Sequence, residues 1–414
     1  MAPVSIPGRL GDVRFDGELP APEDLARVFD ELDYQMACQA YLWALPLVSY
    51  AHWSQQQREV FGATDTDLVC YRSYRDKLGI ITANATTPYI MNLIDLGQTG
   101  PLVVELPAGP TAGGFSDFWQ REFAIVGEMG PDQGQGGRHL VVPPGQSAPA
   151  TDGYNVVEAT GMNIFFGFRT LDSDPERSQT LVEAVRIYPY AERDARPQTR
   201  LVSPEGRKWS GDQPRGLDYW RTLHEIYQRE IVDERDRFYM AMLRQLGIEP
   251  GKPFEPDDRT RKILEQASAA GELMAQANAF AKRFEGSKWW PDRQWDLVLA
   301  MTNSAQRGEH YEELLERTSW FYEAVTFSEA MRSQTPGKGQ AYLSAYTDAN
   351  GEWLDGGRTY TLHVPPDPPA KLFWSATVYD VHARCLIDNE QQRGDRGSRD
   401  SELALNKDGS VDLC

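Results

Sequence analysis

The sequence predicts an α+β protein in which β structure dominates, ordered along the chain as β, then α, then β. Short apolar runs bounded by Gly, Pro or Asp clusters fill the stretch from 102 to 188 with no helical pattern between them. From Gly216 the apolar residues return at helical spacing, and beyond Pro336 the strand texture resumes. Strands in such succession argue for an antiparallel sandwich or barrel. With 414 residues the chain is long enough for about two to three domains.

Pro22-Glu23-Asp24 opens the first helix with acids in its first turn, Leu25, Val28, Phe29 and Leu32 follow at helical spacing, and helix continues from about Asp33 to Phe61. Its most apolar part, Ala37 to Ala51, is shorter than a membrane span and contains Pro46, so it reads as a buried helix with a kink or break. The first strands are expected at Leu102–Leu106, Phe123–Val126, His139–Val142, Asn163–Phe168 and Val185–Tyr188. In the helical middle, Trp220, Leu223, Tyr227, Ile231, Phe238 and Met242 share one stripe, stopped by Leu246-Gly247. Further helices are expected over about 257–285 and 308–333. The last strands are Ala341–Tyr346, Arg358–Val364 and Phe373–Tyr379, and residues 348–357 are rich in hairpin-turn types.

Composition is globular, at 41% hydrophobic and 25% charged residues. A net charge of −19 repels phosphate backbones and anionic lipid, which sets nucleic-acid and membrane partners aside. Cys38, Cys70, Cys385 and Cys414 are too widely spaced for a CxxC motif and read as buried or incidental thiols. The N-terminus lacks the basic start and apolar run of a secretory signal, so a cytoplasmic address is expected, or a secreted one if a leader has been removed.

Several separated motifs carry a resemblance. Ala40-Tyr-Leu-Trp-Ala-Leu-Pro46, Thr82-Ala-Asn-Ala-Thr-Thr-Pro-Tyr89, Gly100-Pro-Leu-Val-Val-Glu-Leu-Pro107 and Asp117-Phe-Trp119 lie in the first half. Gly339-Gln-Ala-Tyr342, Asp355-Gly356, Val364-Pro365, Phe373-Trp374, Val378-Tyr-Asp380 and Asp408-Gly-Ser-Val-Asp-Leu413 lie in the second. Together they resemble the bacterial family that pairs domains of unknown function 1254 and 1214. The resemblance implies two antiparallel β-sandwich domains of jelly-roll type joined by a helical middle segment. Relatives usually continue for several tens of residues beyond the equivalent of Cys414, so the second sandwich is expected to lack strands. Its bare edges then call for a further segment or a second subunit, and a homo-oligomer is carried as an expectation. The expected organisation is residues 1–61 as helices packed on the first sandwich, 62–215 as that sandwich, 216–335 as the helical segment and 336–414 as the second sandwich.

The sequence holds no HExxH, GxSxG, GxxxxGK[ST] or helix-opening GxGxxG motif, so zincin, α/β-hydrolase, P-loop and Rossmann readings fall and no cofactor is expected. The glycine-rich run 130–137 leads into a strand, which favours a turn or bulged loop over a phosphate cradle. Asn84, Thr87 and Tyr89 either tie a turn fixed by Pro88 or line a pocket mouth with hydrogen-bonding groups. Ser116-Asp-Phe-Trp-Gln-Arg121 is read as the start of a strand, with Asp117, Trp119 and Arg121 on one face. A carboxylate beside an indole suits sugar binding or acid/base work, whereas an Asp117–Arg121 ion pair at the core edge explains the same residues structurally. Asp132 is the candidate second carboxylate.

His139, His363 and His382 form a metal site only if the fold converges them, and no metal is assigned. Glu230 and Glu234 fall near the apolar stripe, so one is a candidate for burial against an Arg. The tryptophans, Trp289-Trp290 included, serve core packing before stacking on a ligand.

The expected function is a hydrolase or related enzyme acting on a neutral or cationic small molecule or glycan. Asp117 is its acid/base, Trp119 and Tyr89 form a wall, and Asn84, Thr87, Arg121 and Asp132 hold the substrate. The alternative is a non-catalytic ligand-binding or assembly protein. Both require the turn 84–89 and the segment 117–132 to open onto one hollow.

Overall fold

The computed structural model describes residues 4–6, 8–172, 174–332, 340–371 and 373–414. Pro336, where the last strands are expected to begin, and Gly339 of the Gly-Gln-Ala-Tyr motif lie outside them.

A single helix of 38 residues, Pro22–Glu59, forms the axis of the helical part. Pro22 at its start and Glu23 and Asp24 in its first turn suit a helix N-terminus, which has unused N–H groups and a positive dipole end. Phe29 and Leu32 are exposed; the early turns are instead held by ion pairs of Arg259 with Asp30 and Asp33 and of Arg9 with Glu31. From Ala40 to Ala51 every residue is buried, because helices Leu217–Tyr227, Arg237–Gln245, Asp258–Phe280 and Leu314–Glu323 surround this stretch.

The helix passes through Pro46 without ending. Proline has no N–H to give the Leu42 carbonyl, and the oxygen it leaves open faces the hydroxyl of Thr318 at 3.2 Å, a hydroxyl shared with Leu314 O at 2.6 Å. Arg317 Nη2 donates to the neighbouring Trp43 carbonyl, and Gln120 Nε2 donates to the Pro46 carbonyl at 3.1 Å.

The expected stripe from Trp220 to Met242 is broken. Helix runs over Leu217–Tyr227 and again over Arg237–Gln245, leaving Ile231 and Phe238 exposed. Glu230 leaves helical geometry to accept from the amides of Met162 and Asn163, and Asp233 leaves it to cap the turn 234–236 and meet Arg121.

The chain is α+β with mixed and antiparallel sheets. A six-stranded sheet has the order Leu201–Val202, Leu68–Tyr71, Tyr89–Asp95, Asn163–Thr170, Thr111–Asp117, Glu122–Gly127. A four-stranded sheet has the order Asn155–Glu158, Gly137–Val142, Leu102–Leu106, Arg186–Pro189. One apolar core takes Ile90, Ile94, Phe166 and Phe168 from the first and Val104, Val141 and Ile187 from the second. Pairing is antiparallel except where Gly137–Val142 meets Asn155–Glu158 and where Leu201–Val202 meets Leu68–Tyr71.

Beyond residue 340 the described strands form only two-stranded pairs: Leu343–Ala345 with Trp295–Leu297, Leu362–Val364 with Val411–Leu413, and Ser375–Thr377 with Asp395–Gly397. Each strand is three residues long, and Pro365, Pro366, Pro368 and Pro369, which have no N–H, follow the second at once. This segment docks on the turns of the six-stranded sheet: Thr82 N donates to Arg384 O at 2.7 Å, and Tyr379 Oη to Ala83 O at 3.0 Å. Among the described residues no helix is long and apolar enough to cross a membrane.

Candidate functional site

Strand register puts Asp117 and the turn 84–89 at opposite ends of the six-stranded sheet, while Asp132, tied to Gly127, lies at the Tyr89 end but three strands away. Asp117 lies opposite Ile164, which lies opposite Ile94. Tyr89 stands five residues further along the strand of Ile94, about 17 Å away at ~3.4 Å per residue. The expected shared hollow is therefore not formed, and two separate constellations take its place.

At the first end, Thr111–Asp117 stops at Asp117 and Glu122–Gly127 begins at Glu122, so residues 118–121 are a tight turn and not a strand. Gln120 adopts φ 61°, and Gln120 N donates to Asp117 O at 2.8 Å. Asp117 is fully buried and both its oxygens are committed. Oδ1 accepts from Arg121 N at 3.0 Å, and Oδ2 accepts from Arg121 Nε and Thr160 Oγ1, each at 2.8 Å. Arg121 reaches on to Asp233 at 2.9 Å. Arg121, Asp233, Thr160 and Glu158 line an open cavity of about 470 Å³, to which Asp117 itself makes no wall.

Trp119 turns away into the helical core, 4.9 Å from Trp43 between ring centres. Asp132 is buried in its own loop, where Oδ1 accepts from Gly127 N at 2.8 Å. Glu230 is the buried acid of its pair, but amides rather than an Arg hold it: Met162 N, Asn163 N, Asn163 Nδ2 and Ile231 N all donate to it. Burial raises its pKa against those four bonds. Glu234 is exposed and pairs with Arg237.

At the other end, Asn84 makes the turn expected of it. Its Oδ1 accepts from Thr86 N at 2.7 Å and Thr87 N at 3.1 Å, and its N–H donates to Tyr89 Oη at 2.8 Å. Beneath the turn is Lys77, 1% exposed, whose Nζ donates to the carbonyls of Ala85 at 2.7 Å and Asn84 at 3.3 Å. Burial of the ammonium pulls its pKa down to about 8, while Asp395 and Asp76 oppose that fall. The Arg169 guanidinium lies 5.7 Å from the Tyr89 ring centre, because register sets Arg169 beside Tyr89. Neither Lys77 nor Arg169 is bonded to a carboxylate among the described residues.

Tyr342 and Tyr379 arrive from the C-terminal segment, and each lies near enough to Tyr89 for that phenol to raise its pKa beyond what burial does. Thr87 Oγ1 is buried without a hydrogen-bond partner among the described residues. The turn 84–89 is thus joined by Lys77, Arg169, Tyr342 and Tyr379, none of which the sequence singled out for chemistry. Two of these signals were legible, since Tyr342 and Tyr379 sit inside quoted motifs. Lys77 and Arg169 had none, because a cation is marked as special only by the missing acid beside it.

Histidines make no centre: His363 bonds Asp412 at 2.7 Å, and His139 is buried in the four-stranded sheet. Among the described residues no group of three metal-ligating side chains gathers. Cys38, Cys70 and Cys385 are buried and Cys414 is exposed.

Comparison with known proteins adds the following. No curated protein matches the chain. The VPA0106 protein from Vibrio parahaemolyticus is similar in fold, with TM-score 0.52 at 15% identity over 92% of this chain and 87% of that one. An uncharacterized protein from Burkholderia cenocepacia aligns at TM-score 0.31 and 10% identity over 93% of this chain and 84% of that one. Residues 68–189 match the family described as Protein of unknown function (DUF1254), which supplies Lys77, Asn84, Thr87, Tyr89 and Arg169. Residues 339–414 match Protein of unknown function (DUF1214), which supplies Tyr342, Tyr379 and Asp395. With both matches in the order and at the places of the motifs quoted above, the chain belongs to the family that pairs an N-terminal domain of unknown function 1254 with a C-terminal domain of unknown function 1214.

Proposed function

We propose that the tyrosine-lined end of the six-stranded sheet binds a small molecule bearing an anionic or acidic hydroxyl group, and that Lys77 takes up its proton. One observation carries this reading: two cations flank the turn 84–89, Lys77 on its carbonyls and Arg169 over the Tyr89 ring, with no carboxylate bonded to either among the described residues. A buried ammonium normally acquires a carboxylate partner, and an amine with a pKa near neutrality is suited to proton transfer. Residues of both family domains build this end, so it exists only in the paired protein. We also read the two sheets, which share one apolar core, as the faces of a β-sandwich.

A second reading keeps a neutral or cationic small molecule or glycan, bound without catalysis or hydrolysed, in the cavity at Arg121. The observation favouring it is the cavity itself, with the carboxylates of Glu158 and Asp233 on its wall. Asp117, sealed behind Arg121, serves there by fixing that guanidinium.

The test is reductive labelling of the full chain with pyridoxal phosphate and borohydride at pH 8. This reagent pairs an anion for Arg169 with an aldehyde that condenses with an unprotonated amine, losing water, before hydride reduces the imine. Peptide mapping should find Lys77 labelled ahead of the exposed Lys252 and Lys262. Label on the surface lysines alone would overturn the reading.

A further inference from the structure

Behind the Arg121 cavity lies a knot of unanswered polar atoms unrelated to the tyrosine-lined end. Trp119 Nε1, Arg235 Nε and Nη2, Arg317 Nε, Asp236 Oδ2 and Gln306 Oε1 are all buried with no hydrogen-bond partner among the described residues. Their side chains belong to one neighbourhood. Arg317 Cζ lies 5.5 Å from the Trp119 ring centre, and Gln306 Nε2 donates to Trp119 O at 2.8 Å. Arg235 Nε lies 3.6 Å from Asp236 Oδ2, while Asp236 Oδ1 accepts from Trp43 Nε1 at 2.9 Å. Trp119 and Arg317 are each 3% exposed, Gln306 is 0%, and the Arg235 side chain is 5%.

Buried polar groups in folded proteins are nearly always satisfied, so six orphans in one place ask what completes them. The unmet demand has a definite chemistry. Four N–H positions on two guanidinium groups and an indole seek an acceptor, and Asp236 and Gln306 each offer an oxygen seeking a donor. Arg235 also pairs through Nη1 with Glu312 at 3.0 Å, which leaves Arg317 as the guanidinium bonded to no carboxylate among the described residues. Aromatic rings wall the place, Trp43 stacking on Tyr239 at 4.8 Å and standing 4.9 Å from Trp119.

We propose that this knot is a binding site for a small hydroxylated carboxylate, such as a hydroxy acid or sugar acid. Its carboxylate accepts from Arg235, Arg317 and Trp119, and its hydroxyl donates to Asp236 or Gln306. The way in is the Arg121–Asp233 pair, which floors the 470 Å³ cavity and brings Asp233 Oδ2 within 3.9 Å of Arg235 Nε. The facing wall is the segment 302–313, held by Arg235 Nη1 donating to Ala305 O at 2.7 Å. Gln306 sits in that wall at φ 58°, a backbone region that favours glycine, with its amide turned inward.

Calorimetric titration of the full chain with L-malate and D-glucuronate tests this, with acetate and glucose as ligands that lack the hydroxyl or the carboxylate. Binding of malate or glucuronate at one site per chain, at least tenfold tighter than either control, is expected. Trp119→Phe removes one donor while keeping an aromatic ring, and should weaken that binding at least tenfold while leaving the melting temperature unchanged or higher. Arg235→Met should weaken it in the same way. Failure of both acids to bind, or binding that both substitutions leave intact, would overturn the proposal. Because the site shares no residue with Lys77 or Arg169, pyridoxal phosphate labelling succeeds or fails independently.

Discussion

The two ends of the six-stranded sheet are made by the same strands and yet carry opposite chemistry. At the Asp117 end each named acid is answered. Asp117 holds Arg121, Asp95 holds Arg229 at 2.8 Å, Asp233 holds Arg121 in turn, and Glu230 collects four amides. At the Tyr89 end the bonded partners of the cations among the described residues are carbonyls and a ring face, with Asp395 and Asp76 near Lys77 but not bonded to it. A carboxylate, an indole and a guanidinium close in sequence look like chemistry until their partners are known. What separates a site from scaffolding is the group left without a counterpart.

The comparison breaks first at Asp117. Asp117→Ala strands the Arg121 guanidinium and the Thr160 hydroxyl in a sealed place, so urea unfolding should show a loss of about 3–5 kcal/mol. An unchanged midpoint would mean that this acid is not structural, and would reopen the acid/base reading.

Lys77→Met should do the reverse at neutral pH. The folded pKa of about 8 lies below the ordinary 10.5, so below pH 8 both states are protonated and the burial penalty stands in full. Between pH 8 and 10.5 only the unfolded chain holds the proton, and stability climbs with pH. At ~1.4 kcal/mol per unit the penalty is about 3 kcal/mol, reduced by the two carbonyl bonds that Lys77 makes. The advantage of Lys77→Met should therefore be greatest near pH 7 and vanish by pH 10.5 in denaturant titrations across that range.

Glu122 sharpens the contrast from within the acidic end. Burial, assisted by Glu329 and opposed by the Glu329 amide, lifts its pKa from 4.5 to about 7. Its folded form keeps a proton that the unfolded chain has lost, so it costs stability progressively as pH rises from 4.5 to 7. Glu122→Gln should melt with wild type below pH 4.5 and above it at pH 7 and beyond, by less than the Lys77 effect because the side chain is partly exposed. The smallest effect belongs to Tyr379→Phe. It removes one hydrogen bond to Ala83 O and should cost about 1 kcal/mol in the same unfolding assay.

How far the sequence spoke can be judged on particular residues. Leu102–Leu106 was legible to its last residue, because β-branched and apolar side chains, interrupted only by Glu105, fill the span between Pro101 and Pro107. The fate of Ser116–Arg121 was not, since its turn is made by a non-glycine residue in the left-handed region and carries no Gly or Asn signal. The Asn84 turn was readable from local chemistry; the cations around it were not, because an absent counter-ion is a property of tertiary arrangement. The second sandwich was expected from the strand texture beyond Pro336 and strengthened by the resemblance, and the proline run after Val364 was the local warning against long strands there.

Pro46 has a consequence for how the protein can be divided. The carbonyls of Leu42 and Trp43 meet the Thr318 hydroxyl and the Arg317 guanidinium, nearly three hundred residues downstream. A fragment ending ahead of residue 314 would lose both contacts, and the Leu42 oxygen, which Pro46 leaves without a helical donor, would stand bare in the middle of its most apolar turns. Dissection at the family boundaries should therefore yield insoluble pieces, and the two halves should melt in one transition as a single cooperative body.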